Sequence, residues 1–282
     1  MLPSGLCNGR KCAVFPWELH PEPCQKQNLF VDAMLEAKKI AVVIPAYCEA
    51  MLLPRTLEKV PSYVDLVIVI DDGSPDETYA TARSSALEDE RLHVIRLGFN
   101  RGVGGAITRG YREAVNRGAD VIAVMAGDDQ MDPGELEAVL LPVVRGEADY
   151  AKGNRLAHPE ANRMPLARRA GTRILGSVTG WIAGLPGLTD AQCGYTAIHR
   201  DMVEALPLDD IYPRYGYPND LLLRLGEHGA RVTQPVVRPI YADEVSGFRI
   251  HQVVLPISGI LMRGVLRRMR KDHADGAELR LD

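Results

Sequence analysis

Four short apolar runs, rich in β-branched residues, recur along the first half of the chain, and each ends in polar residues. They are Ile40–Ile44, Leu66–Ile70, His93–Leu97 and Val121–Met125. The segments between them, over about 50–59, 76–87, 105–116 and 133–144, carry residues suited to helices. Apolar runs without strict alternation leave no face for water, so such strands need cover on both sides. Parallel strands joined by right-handed helical crossovers supply that cover. The pattern therefore predicts an α/β fold, a doubly wound, Rossmann-like and mostly parallel sheet with helices on both faces.

In open sheets of this kind, ligands bind beyond the carboxyl ends of the strands. The clusters that follow the runs are Pro45-Ala-Tyr-Cys-Glu49, Asp71-Asp72-Gly73-Ser74 and Asp128-Asp129-Gln130-Met131-Asp132. The last gathers three carboxylates and an amide within five positions. Like charges this close repel. Hard oxygen donors at a strand end suit Mg²⁺ or Mn²⁺, which bridges a diphosphate well. A solvated, helix-capping acidic turn is the other reading of the same residues. Gly104-Gly105 does not follow the first strand and lacks the spacing of a dinucleotide fingerprint. Neither a phosphate-binding P-loop nor a G-x-S-x-G nucleophile elbow is present.

Residues 1–36, rich in proline, cysteine and polar side chains, read as an N-terminal extension, residues 37–245 as one α/β domain, and 246–282 as an amphipathic helical tail. The five cysteines, at positions 7, 12, 24, 48 and 193, are odd in number and widely spaced, as expected of reduced thiols. A zinc site from Cys7, Cys12 and Cys24 fits no common ligand spacing. The formal charge of −4 argues against nucleic acid as the partner. No apolar run reaches membrane-spanning length, and the start lacks the pattern of a signal peptide, so a cytoplasmic protein is expected.

The second half is looser. Arg155, Arg163, Arg168, Arg169 and Arg173 cluster around a helix expected over 165–183, and Asp190-Ala-Gln-Cys-Gly194 leads into a short strand at Thr196–His199. Asp220 precedes a leucine-rich helix, where it would serve either as an N-cap or in the chemistry. Val232–Ile240 reads as a strand interrupted by Pro235 and Pro239. Val253–Met262 is apolar and is followed by Arg263, Arg267, Arg268, Arg270 and Lys271. Residues 249–271 thus read either as a membrane-surface contact or as a packed helix with a solvated basic end.

Pro45-Ala-Tyr47 with Glu49, Asp71-Asp72-Gly-Ser-Pro-Asp76, Asn100-Arg-Gly-Val-Gly-Gly-Ala106, Gly127-Asp128 to Pro133, Gly153-Asn-Arg155 and Asp190-Ala-Gln-Cys-Gly194 occur in this order. In that order they resemble the family-2 glycosyltransferases of GT-A fold, most nearly the dolichyl- or polyprenyl-phosphate mannose synthase-like branch. The match runs from about Ile40 to Ser246. It implies an inverting, metal-dependent transfer of a hexose from a UDP- or GDP-sugar. Pro45, Tyr47, Glu49 and Asp72 would hold the nucleoside, with Gly127 and Asp128 beside the donor, and Asp128 and Gln130 would hold the metal. Ala126 stands where the family's metal motif usually has its first Asp, with Asp129 and Asp132 in reserve. Asp190 and Asp220 would contact donor sugar or acceptor, and Arg155 and Arg168 the acceptor phosphate. The acceptor implied is a polyprenyl phosphate, met at the inner face of a membrane. A soluble enzyme acting on a small-molecule hydroxyl is the alternative, and a nucleotidyltransferase or nucleotide-binding module is a third. The residues leave oligomeric state open, a homo-oligomer included.

Overall fold

The computed structural model describes residues 35, 37–240 and 250–278. The expected extension over 1–36, with Cys7, Cys12 and Cys24, therefore lies outside the described residues, except that Leu35 is buried in the core. Seven strands form one sheet in the order β3-β2-β1-β4-β6-β5-β7. They are β1 (Ile40–Ala46), β2 (Leu66–Asp71), β3 (Leu92–Arg96), β4 (Val121–Val124), β5 (Tyr150–Lys152), β6 (Thr196–His199) and β7 (Val232–Thr233). The first four are mutually parallel, and β6 runs antiparallel to both β4 and β5. The α/β class and the mostly parallel sheet expected from the apolar runs are both present.

The helices are α1 (Leu53–Glu58), α2 (Thr78–Ser85), α3 (Val103–Asn116), α4 (Leu136–Val144), α5 (Leu166–Ala183), α6 (Arg200–Ala205), α7 (Tyr217–Glu227) and α8 (Ile250–Glu278). They cover two apolar cores, one on each face of the sheet. Val43, Ile68 and Ile122 point into the core under α3 and α7, while Val42, Val69 and Ala123 point into the core under α4. Alternate residues of one strand thus serve opposite faces. That double burial is why these runs carry no polar alternation.

Two strand ends differ from the sequence reading. β1 continues through Pro45 to Ala46 rather than stopping before the proline. The Ala46 carbonyl accepts from Asp72 N on the β2 side, so the neighbouring Pro45 nitrogen faces β4, whose pairing with β1 ends at Val43 and Val124. The missing N–H therefore breaks no ladder bond. The strand read over Val232–Ile240 shrinks to Val232–Thr233 plus a bridge from Asn154 to Val236, because Pro235 interrupts the ladder.

The tail does not stand apart from the domain. Ile257 and Ile260 of α8 are buried, and Gly264 comes close to Leu223 of α7 and Ile182 of α5. No helix among the described residues is long and apolar enough to cross a membrane. The α5–α7 crossing is equally tight, for a Cβ at Gly226 would meet the Ala183 carbonyl oxygen. Gly226→Ala should therefore destabilise the protein by about 1–3 kcal/mol. Gly259→Ala on α8, where an added Cβ meets nothing within 4 Å, should stabilise by up to about 1 kcal/mol. Urea midpoints of the two variants check both signs.

Candidate functional site

The sheet order places a switch point between β1 and β4, where the connections leave in opposite directions. At their carboxyl ends lies a cavity of about 1230 Å³. A ligand crevice belongs at this place in an open α/β sheet. Pro45, Tyr47, Glu49, Asp72, Gly127, Asp128, Gln130, Arg155 and Arg168 all line it, so nine residues from five separate segments converge. Asp190 and Asp220 lie behind its wall.

At the β1–β2 end, Asp72 is buried and organises the loop ahead of α3. Its Oδ1 accepts from Arg101 N and its Oδ2 from Gly102 N, each at 2.7 Å. Burial pushes the Asp72 carboxyl above its usual range, although these two N–H groups oppose the rise. Gly102 has φ +90°, and a Cβ there would lie 2.7 Å from the Pro213 carbonyl oxygen, so the loop admits only glycine at this point. Beside it, Glu49 N donates to Thr78 Oγ1 (2.8 Å), which fixes the turn after β1. Tyr47, half exposed, stands at the rim with an aromatic face for a base.

The acidic turn divides its carboxylates between tasks. Asp129, at φ +58°, is held by Lys59 at 2.6 Å, and Asp132 Oδ1 caps a short 3₁₀ turn by accepting from Gly134 N. Neither lines the cavity. Asp128 and Gln130 do, and Asp128 Oδ1 accepts from Gln130 N at 3.1 Å. Among the described residues no three His, Cys, Asp or Glu side chains converge as a metal cage. One carboxylate and one amide suit a hard cation that takes its remaining oxygens from a diphosphate and water. The donor set thus fits a metal that arrives with the nucleotide, and Ala126, also in the wall, supplies no ligand.

Across the cavity the chemistry is cationic. Arg155 Nε donates to Asp190 Oδ2 (2.8 Å) and Arg155 Nη2 to Asp190 Oδ1 (3.0 Å), a fork-on-carboxylate pair. Arg155 N donates to the same carboxylate at 3.2 Å. Burial pushes the Asp190 carboxyl up, and the Arg155 guanidinium, helped by the Lys152 charge and the Arg155 N–H, more than reverses this, leaving it below the usual carboxylate range. Arg168 and Thr172, one helical turn apart on α5, both face the cavity. Asp220 is 3% exposed and accepts from Tyr212 N at 2.8 Å, while Arg267 of α8 lies 3.4 Å from its other oxygen. It thereby anchors the 212–215 segment, whose Arg214 and Tyr215 reach the cavity.

Several lining residues escaped the sequence reading. Thr172 was findable from its i+4 relation to Arg168. Gln192 sits inside a quoted motif and joins Asn219 and Thr179 in a buried chain of side-chain hydrogen bonds of 2.5 and 2.8 Å. Lys152, Arg214 and Tyr215 had no local signal, because tertiary packing alone turns them inward.

A mostly parallel sheet with an antiparallel β6, and a cavity at its β1–β4 switch point, make a GT-A type α/β layout. The family described as Glycosyl transferase family 2 matches residues 41–206, and the chain belongs to it. The chain is 30% identical over 234 residues to an undecaprenyl-phosphate mannosyltransferase of Micrococcus luteus, covering 78% of this chain and 93% of that protein. It is also 30% identical over 242 residues to a polyprenol monophosphomannose synthase of Mycolicibacterium smegmatis, covering 83% and 91%. The glucosyl-3-phosphoglycerate synthase of Mycobacterium tuberculosis, solved with Mn²⁺, UDP and phosphoglyceric acid, shares the fold. Its TM-score is 0.64 at 18% identity, over 84% of this chain and 81% of that one.

The Arg155–Asp190 pair makes a pH-dependent contribution to stability. A carboxyl depressed in the folded state stabilises above its unfolded pKa, and that contribution fades as pH falls through the folded value. Arg155→Ala should therefore cost about 3 kcal/mol at pH 7, the low end for a buried pair because Arg155 is partly exposed. The gap from wild type should narrow below about pH 4. Urea midpoints from pH 7 to pH 3 measure it, and a constant gap would refute the pairing.

Proposed function

We propose that this glycosyltransferase moves a hexose, with inversion, from a UDP- or GDP-sugar to a polyprenyl phosphate. The observation that carries the reading is the polarity of the cavity. Asp128 and Gln130 follow β4, Arg155 follows β5 and Arg168 adds a second guanidinium to the wall, while both candidate carboxylates, Asp190 and Asp220, are buried and engaged. A hydroxyl acceptor needs a base within reach of its proton. A phosphate monoester is already ionised and needs cations to position it, which guanidinium forks do well. The two relatives named for lipid-phosphate mannosyl transfer support the same acceptor class.

In this reading Pro45, Tyr47, Glu49 and Asp72 hold the nucleoside, and Gly127 allows the chain to pass close to the diphosphate. Asp128 and Gln130 would hold Mg²⁺ or Mn²⁺, which neutralises the departing diphosphate. The acceptor oxygen, set by Arg155 and Arg168, attacks the anomeric carbon from the face opposite the leaving group. Asp190 acts by orienting Arg155, and Asp220 by fixing the segment that carries Arg214. Asp128→Ala should lower transfer on the order of 10²-fold without lowering the urea midpoint. Arg155→Ala, assayed where it is folded, should be the more damaging change and Asp220→Asn the milder one. The reverse ranking would favour a hydroxyl acceptor, and full activity of Asp128→Ala in saturating metal would remove that residue from the site.

The outer surface agrees with a lipid acceptor. Leu166, Ile174, Val178 and Trp181 are exposed along α5, Trp181 at 72%, and Leu255, Met262, Leu266 and Met269 are exposed along α8. The two stripes meet where Arg268 lies 5.9 Å from the Trp181 ring. Apolar side chains beside arginines suit the interface of an anionic bilayer. Trp181→Ser combined with Leu255→Ser should reduce co-flotation with phosphatidylglycerol vesicles. Unchanged flotation would rule out this face as the contact.

A further inference from the structure

Lys152 is the residue of the cavity floor that the proposed chemistry has not yet used. It ends β5, shares the cavity face with Tyr150 two positions earlier, and pairs in register with Thr196 of β6. Its side chain belongs to a residue only 1% exposed. An ammonium carries three donors. Among the described residues this one makes a single hydrogen bond, to the Cys193 carbonyl at 2.5 Å. Burial, the largest influence, pulls its pKa down to about 8.

Charge and distance indicate what Lys152 waits for. Lys152, Arg155 and Asp190 bring two cations to one carboxylate, and Asp190 accepts its side-chain hydrogen bonds from Arg155, so the trio carries one positive charge in excess. A buried excess of positive charge is unfavourable unless a ligand supplies the opposite charge. β5 stands two places from β4 in the sheet, with β6 between them. Two strand spacings are about 10 Å. The diphosphate near Asp128 and Gln130 is thus separated from Lys152 by room for the transferred sugar, which leaves the acceptor phosphate as the anion on the β5 side.

We infer that Lys152 is the floor ligand of the acceptor phosphate, meeting one phosphate oxygen from below while Arg155 and Arg168 hold the group from the side. This rests on the lipid-phosphate reading of the acceptor. Steady-state kinetics with a short-chain polyprenyl phosphate test it on Lys152→Met and Lys152→Gln. Methionine fills the same volume without charge, and glutamine keeps a donor for the Cys193 carbonyl. Both should raise the acceptor KM at least about tenfold, as loss of a charge-assisted hydrogen bond does. The donor KM should stay within about twofold, since the diphosphate lies beyond the sugar. An unchanged acceptor KM in either folded variant would overturn the assignment, and so would a rise in donor KM alone. A wild-type enzyme that transfers nothing to the lipid phosphate would instead sink the acceptor reading itself, and the Lys152 assignment with it. Should the methionine variant fail to fold, the glutamine variant decides alone.

Discussion

The register of β1 between β2 and β4 governs the site. Pairing of Ala46 with Asp71 on one side, and of Val43 with Val124 on the other, brings three chain segments to a common rim. Asp72 emerges one residue beyond β2 and Asp128 four beyond β4, and both face the gap above β1. A one-residue slip in either pairing would send the core residues to the opposite face. Burial on both sides of the sheet makes such a slip costly, so the same apolar contacts that stabilise the sheet also position the polar ends.

Much of the charge around the cavity is spent on architecture. Lys59 holds Asp129, Arg155 holds Asp190, and Arg267 bridges Asp220 and Glu227. Each pair frees the neighbouring segment from choosing among conformations. Of the polar residues left facing the cavity, Asp128 and Gln130 follow β4 and Arg155 follows β5.

Helix α5 links cavity and surface. Arg168, Thr172 and Leu175 line the cavity, Gly176 and Gly180 admit the close approach of the 185–189 segment, and Ile174, Val178 and Trp181 face outward. α8 packs against the same helix, and its Arg268 donates to the Trp181 carbonyl at the α5 C-terminus.

The α/β class, the first four strands, the polar strand ends and the family resemblance were all legible in the residues, because local apolar runs and short motifs carry that information. Legible too was the oddity of Ala126. Sequence could not tell which of the clustered carboxylates face the cavity. Asp129 and Asp132 look equivalent to Asp128 until Lys59 and a 3₁₀ turn draw them aside. Nor could it tell that Asp190 is held by Arg155, and Asp220 by Tyr212 and Arg267. Lys152 carried no motif and became visible only when β6 inserted antiparallel between β4 and β5. The pairings of Lys59 with Asp129, Arg155 with Asp190 and Arg267 with Asp220 join residues 35 to 70 positions apart. The sequence by itself determined the parallel half of the sheet, its rim and the family; the tertiary structure decided which charges meet each other and which are left to meet a ligand.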